Sequence, residues 1–283
     1  MQIYGQQRPQ QCLKMSFTAK DVSKKAITVE PTNNLSNARD IMIRYNISRV
    51  IVVSNNAPIG MVTEKAIASY LFRNSKEPLD EISISKTMRT PIVTVNHDAS
   101  IKRCAEVMIE NDISSLVITD HGTSISILTK SDLVKLYSEH YRKKHLVSEF
   151  MTKDVFTISP SHSLRTALLL MIKNKISRVV ITKGDEIAGI ITSRDLMPVT
   201  SFVEGDDGIE SKDLAGIGYV MLARDVMNKP IIISKDADLA DAAQIMYDKR
   251  ISGIPIGSSS NDLNGIITKT DIVRALMVTN NIV

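Results

Sequence analysis

Tryptophan is absent from these 283 residues, and all aromatic side chains together make up only 4% of them. Proteins that track single-stranded nucleic acid stack bases on aromatic rings, and this chain has few to offer. Lys and Arg outnumber Asp and Glu by 35 to 31, a net charge of +4, yet the cations are scattered and form no dense block. An ordinary solvated surface is the simpler expectation. Only Cys12 and Cys104 are present, too few for a disulfide framework or a zinc site, so a reducing cytoplasm is expected. No apolar run approaches the roughly 18 residues of a membrane span. The opening MQIYGQQRPQQCLKMSF lacks the apolar middle of a signal peptide and reads as a loosely held arm over residues 1–17.

Sites of familiar chemistry are missing too. His97, His121, His140, His145 and His162 fall at no ligand spacing, so no metal is expected. VEGDDGIE, Val203 to Glu210, lacks the register of a calcium loop and reads as part of a mobile linker, Pro198 to Ala223. There is no Walker loop, no G-x-G-x-x-G and no nucleophile elbow.

What the chain does have is repetition. Six residues after Val29, Val95, Ile158 and Ile233 stand Leu35, Ile101, Leu164 and Leu239. Twelve further on stand Ile47, Ile113, Ile176 and Ile251, each followed by serine. Sixteen residues after that isoleucine comes Thr63, Thr129 or Thr192, and after seventeen in the last copy, Thr268. Four registers held this closely mean four copies of one unit.

Each copy reads as strand, helix, strand, strand, helix. Asn34, Ser100, Ser163 and Asp238 precede the first helix and can accept an orphan amide there. Leu164, Ala167, Leu170 and Met171 then form a buried stripe at helical period. The stretches ISRVVIT and IAGIIT are joined by KGDE, a hairpin turn with glycine. A unit of about 55 residues is marginal alone, so copies are expected to pair.

The Met151-Thr152 pair, the ISRV second strand and the ending G-x-x-[ST]-x-x-D, as in GIITSRDL and GIITKTDI, resemble the cystathionine-β-synthase (CBS) domain. The resemblance covers nearly the whole chain. It implies an α/β (α+β) fold of four βαββα CBS repeats paired into two Bateman modules, residues 18–140 and 141–283. The repeats are expected at 18–73, 85–140, 147–200 and 222–283, with a linker at 201–221.

Thr followed three residues later by an acid is also a capping box, and spacing alone favours that reading. Capping and ligand binding are compatible, because a helix start presents free amides and a positive dipole end to a phosphate. A carboxylate there can accept both hydroxyls of a ribose, and Lys130, Arg194 and Lys269 can neutralise phosphate charge. The family implies that the Asp holds ribose, the Thr supports phosphate, and adenine lies against the first strand and the Ile-Ser segment of the partner repeat. Two clefts are well equipped: Asp132 and Thr129 facing Ile47-Ser48-Arg49, and Asp271 and Thr268 facing Ile176-Ser177-Arg178. In a third, Asp195 and Thr192 meet Ser252-Gly253 without an arginine. In the fourth, Ala66 replaces the Asp opposite Ile113-Ser114-Ser115, and no ribose site is expected. Copy two also carries Ser126 where the others have Gly60, Gly189 or Gly265.

The expected function is a stand-alone regulatory sensor of AMP, ADP or ATP, with S-adenosylmethionine or NAD ranked behind, acting on an unknown regulated protein. An enzyme is not expected, since the repeats leave no room for a catalytic domain. The alternatives are a nucleic-acid-binding protein and a structural or oligomerisation scaffold, with a homodimer left open.

Overall fold

The computed structural model describes residues 17–64, 66, 67, 70, 78–120, 126–195, 221–257 and 262–279. Residues 1–16 of the N-terminal arm and nearly all of the linker lie outside the described residues, whereas Phe17, expected at the end of the loose arm, packs against the core of repeats 2 and 4.

In repeat 1, a helical turn α1 (Ala19–Val22) and strands β1 (Lys24–Lys25) and β2 (Thr28–Val29) lead to helix α2 (Leu35–Arg44) and the hairpin β3 (Arg49–Ser54), β4 (Ala57–Thr63). Repeat 2 holds β5 (Thr94–Asn96), α3 (Ile101–Glu110), β6 (Ser115–Thr119), β7 (Ser126–Thr129) and α4 (Lys130–His140). Repeat 3 holds α5 (Val147–Phe150), β8 (Thr157–Ile158), α6 (Leu164–Lys173), β9 (Arg178–Lys183) and β10 (Glu186–Thr192). Repeat 4 holds α7 (Ala223–Val226), α8 (Leu239–Asp248), β11 (Gly253–Gly257), β12 (Leu263–Thr268) and α9 (Lys269–Val278).

The expected caps form. Asn34, Ser100, Ser163 and Asp238 accept the amides of Asn37, Arg103, Thr166 and Ala240 at 2.8–3.3 Å. Each of these helices is left through a residue of positive φ, Asn46, Asp112, Lys175 or Arg250, a left-handed conformation that reverses the chain into the Ile-Ser segment. The hairpins share one register: Arg49 opposes Thr63, Ser115 opposes Thr129, Arg178 opposes Thr192 and Gly253 opposes Thr268. The first strand of repeats 1, 2 and 3 pairs in parallel with the hairpin. In repeat 4 it shrinks to the parallel bridge Ile233–Ile256.

The repeats pair by exchanging their leading segments. β1 of repeat 1 lies on β7 of repeat 2, and Arg89, in the leading segment of repeat 2, bridges back to Met61 of repeat 1. Thr152 bridges to Ile266 and Asn228 to Ile190 in the same way. The turns ahead of these segments settle at the partner's first helix, where Ala19 donates to the Ala99 carbonyl and Leu35 to that of Ile82, both at 2.8 Å. Gly265 lets this exchange come close: a Cβ there would lie 2.7 Å from the Thr152 carbonyl oxygen. Ser126 solves the same contact differently, its hydroxyl meeting that of Ser23 at 2.8 Å.

Repeats 1 and 3 each keep a core of their own, around Leu35, Met42 and Val62 and around Leu164, Met171 and Ile191. Repeats 2 and 4 share one. Met108, Leu133 and Tyr137 pack in the same cluster as Leu239, Met246, Ile272 and Leu276, so α3 and α4 seal against α8 and α9 and join the two modules. Across the other side, Arg194 of repeat 3 meets Glu64 of repeat 1 at 3.4 Å. Among the described residues no helix is long and apolar enough to cross a membrane.

Candidate functional site

Each hairpin delivers its threonine to a helix start or turn. The residue after that threonine donates its amide to the serine carbonyl of the Ile-Ser segment, as Lys130 does to Ser114 and Lys269 to Ser252, at 3.0 and 3.2 Å. Three residues on, the carboxylate turns back. The amide and hydroxyl of Thr129 both donate to Asp132 Oδ2, at 2.9 and 2.6 Å. Thr268 binds Asp271 Oδ2 likewise at 2.9 and 2.7 Å, and Thr192 binds Asp195 Oδ2 at 2.7 and 2.6 Å. The capping geometry expected from spacing is therefore present, and it engages one oxygen of each carboxylate.

The second oxygen, Oδ1, faces a partner in every case. Lys24 Nζ stands 2.6 Å from Asp132 Oδ1, and Asn228 donates to Asp195 Oδ1 at 2.9 Å. Asp271 Oδ1 accepts from Arg274, one helical turn on, at 2.9 Å. Sequence reasoning missed all three partners. A signal for two of them exists: Lys24 and Asn228 both stand five residues before the first-strand anchors Val29 and Ile233, in leading segments that cross to the other repeat. Lys153 holds that register in repeat 3. With Asp154, Val155, Phe156 and Leu263 it lines a shallow recess of about 420 Å³, whose lining does not extend to Asp271 or Arg178.

The two arginines lie between paired Ile-Ser segments. Arg49 donates to Ser48 and, across the module, to Ser114 at 2.9 Å. Arg178 donates to Ser177 and to Ser252 at 3.1 and 2.7 Å. The opposing residues are small, Ser115 and Gly253, and a Cβ on Gly253 would sit 2.8 Å from an Arg178 guanidinium nitrogen. The glycine taken from sequence as a missing arginine is thus the space its partner's arginine fills. Burial lowers the pKa of the Arg49 guanidinium from its ordinary value, opposed by Glu64 and Asp132. Burial likewise brings Arg178 down to about 10 against the pull of Asp271. Both pairings expected from the sequence, Arg49 with Asp132 and Arg178 with Asp271, are electrostatic neighbours.

The lysines do not stay at home. Lys130 Nζ donates to Thr270 Oγ1 at 2.9 Å, and Lys269 Nζ donates to Ser131 Oγ at 2.7 Å, each reaching into the other module. Burial, Arg178, Arg194 and Arg49 push the Lys269 ammonium down to about 8, with Asp132 opposing. Arg194, expected at a phosphate, is engaged with Glu64. At the fourth position, the Ala66 amide binds the Thr63 hydroxyl at 3.1 Å, so the helix start is capped without a carboxylate. Among the described residues no group of three or more His, Cys, Asp or Glu side chains is placed to hold a metal.

The chain is similar to the uncharacterized protein MJ1225 of Methanocaldococcus jannaschii, with 23% identity over 273 residues covering 89% of this chain and 95% of that one. The crystal structure of that protein, described as a candidate archaeal homologue of γ-AMPK, matches at a TM-score of 0.78 and 20% identity, over 92% of this chain and 99% of the other. An uncharacterized conserved protein from Pyrococcus horikoshii matches at 0.66 and 16% identity, over 92% and 100%. The structural likenesses show the fold. The family described as CBS domain matches residues 19–73, 80–139, 147–200 and 223–278, and with most of its length so covered the chain belongs to the CBS domain family.

Proposed function

We propose that the chain is a regulatory adenine-nucleotide-binding protein, taking AMP, ADP or ATP in clefts between paired repeats and passing the bound state to a partner protein. The observation that carries this is the pair of carboxylates at Asp132 and Asp271. Each gives one oxygen to a helix start and turns the other toward a cation, beside a half-buried arginine whose hydrogen-bond partners are neutral hydroxyls. A ribose diol can take over that second oxygen, while the helix amides and the arginine face the phosphate. A full-length relative is described as a candidate archaeal homologue of γ-AMPK. A nucleotide touching both repeats of a pair favours the arrangement that closes on it, and this biases the surface shown to a partner.

Calorimetric titration with AMP, ATP and S-adenosylmethionine in turn tests the reading. Saturable adenylate binding is expected, weakened about tenfold or more by Asp132→Ala or Asp271→Ala through loss of charge-assisted hydrogen bonds. No heat with any of the three ligands, or both variants binding like the parent, sinks it.

A further inference from the structure

Lys130 and Lys269 each follow a cleft threonine, and the sequence assigns each to the cleft of its own helix. The structure crosses them. Ser131, which receives Lys269, lies between Thr129 and Asp132; Thr270, which receives Lys130, lies between Thr268 and Asp271. Each ammonium is therefore delivered into the first turn of the other module's carboxylate helix. The surroundings agree with the crossing. Lys130 feels Asp271 and Arg274 of repeat 4, besides Asp112 and Arg49. Lys269 feels Asp132 and Arg49 of the first module, besides Arg178 and Arg194 of its own.

We propose that the modules exchange these lysines: Lys269 serves the phosphate of a nucleotide held by Asp132, Thr129 and Arg49, and Lys130 serves the phosphate held by Asp271, Thr268 and Arg178. The proposal rests on the nucleotide-binding reading above and names a residue-level wiring within it. Two positive helix ends, α4 and α9, meet here with both lysines and both arginines. A cation over a helix start is unfavourable, and the hydrogen-bond partners of Lys130, Lys269 and Arg178 are hydroxyls, which carry no charge. The Nε of Arg178 is buried and finds no partner among the described residues. Anions entering from both sides balance this arrangement. Because each phosphate draws on a lysine anchored in the other module, occupancy of one cleft changes the affinity of the other, and the effect is reciprocal.

The experiment uses the full chain with Asp195→Ala throughout, so that two carboxylate clefts remain, and AMP as the probe. In the Asp271→Ala background the Asp132 cleft is read alone; there Lys269→Gln is expected to cost about tenfold in affinity, the weight of one charge-assisted hydrogen bond, and more than Lys130→Gln. In the Asp132→Ala background the order reverses. The opposite order, or equal losses in both backgrounds, overturns the exchange while leaving nucleotide binding intact. Absence of AMP binding by the parent overturns the functional reading instead. A crystal structure of the parent with AMP decides independently of variant folding: Lys269 Nζ on the phosphate beside Asp132 supports the exchange, and Lys269 Nζ on the phosphate beside Asp271 overturns it.

Discussion

Asp132, Asp195 and Asp271 each serve two masters, a helix start or, for Asp195, a turn through Oδ2 and a neighbour through Oδ1. Asp271→Asn separates the roles. The amide oxygen still accepts from Thr268, so melting is expected to shift by no more than about 1 kcal/mol of stability, whereas adenylate affinity should fall as strongly as in Asp271→Ala. Equal affinity of Asp271→Asn and the parent would reduce the carboxylate to a cap. Lys269 gives a second handle. With its ammonium held down to about 8 against an ordinary 10.5, the unfolded chain binds more protons than the folded one between those values. Folding stability is therefore expected to rise with pH across that window. Phosphate affinity runs the other way, declining above about pH 8 as Lys269, set among Arg178, Arg194, Arg49 and Asp132, loses its charge. AMP titrations on either side of that pH check this, and Lys269→Gln should flatten the profile. The Thr and Asp positions were legible in sequence because a capping box is local. The cross-module reach of the lysines was not, since a flexible four-carbon stem fixes no partner.

Within elements, the repeat register and the first-helix caps could be read directly, because they depend on spacing of three to seven residues. The positive-φ exits could not: glycine marks such sites, and here Asn46, Asp112, Lys175 and Arg250 hold them. Exposed Arg250 at φ 54° is a place where glycine fits better, and Arg250→Gly is expected to raise the melting temperature, by about 0.5–1 kcal/mol of stability. Gly265→Ala should act oppositely. Its methyl group meets a backbone carbonyl at 2.7 Å, which cannot swing aside as a side chain can, and a loss of about 1–3 kcal/mol is expected by denaturant unfolding. The crossing of leading segments was hidden for another reason. Strands of two residues and single bridges leave almost no periodic trace, so Lys24 and Asn228 could be placed on a segment but not given their carboxylates.

For the whole molecule, apolar patterning announced buried helix faces but not which faces meet. The shared core of repeats 2 and 4 makes the two modules a single body on that side. Separate expression of residues 17–142 and 143–279 should leave the faces of α3 with α4 and of α8 with α9 uncovered, an apolar patch large enough to drive association. Each half alone is expected to self-associate, and the halves mixed should form a one-to-one complex in sedimentation. Two halves that stay monomeric when mixed would show that this core does not hold the modules together. The traded leading strands carry a different consequence, for ancestry. A lone copy gained or lost would leave one strand without its seat and one sheet edge bare, so such a gene can lengthen or shorten only by twos. The heritable brick here is the couple.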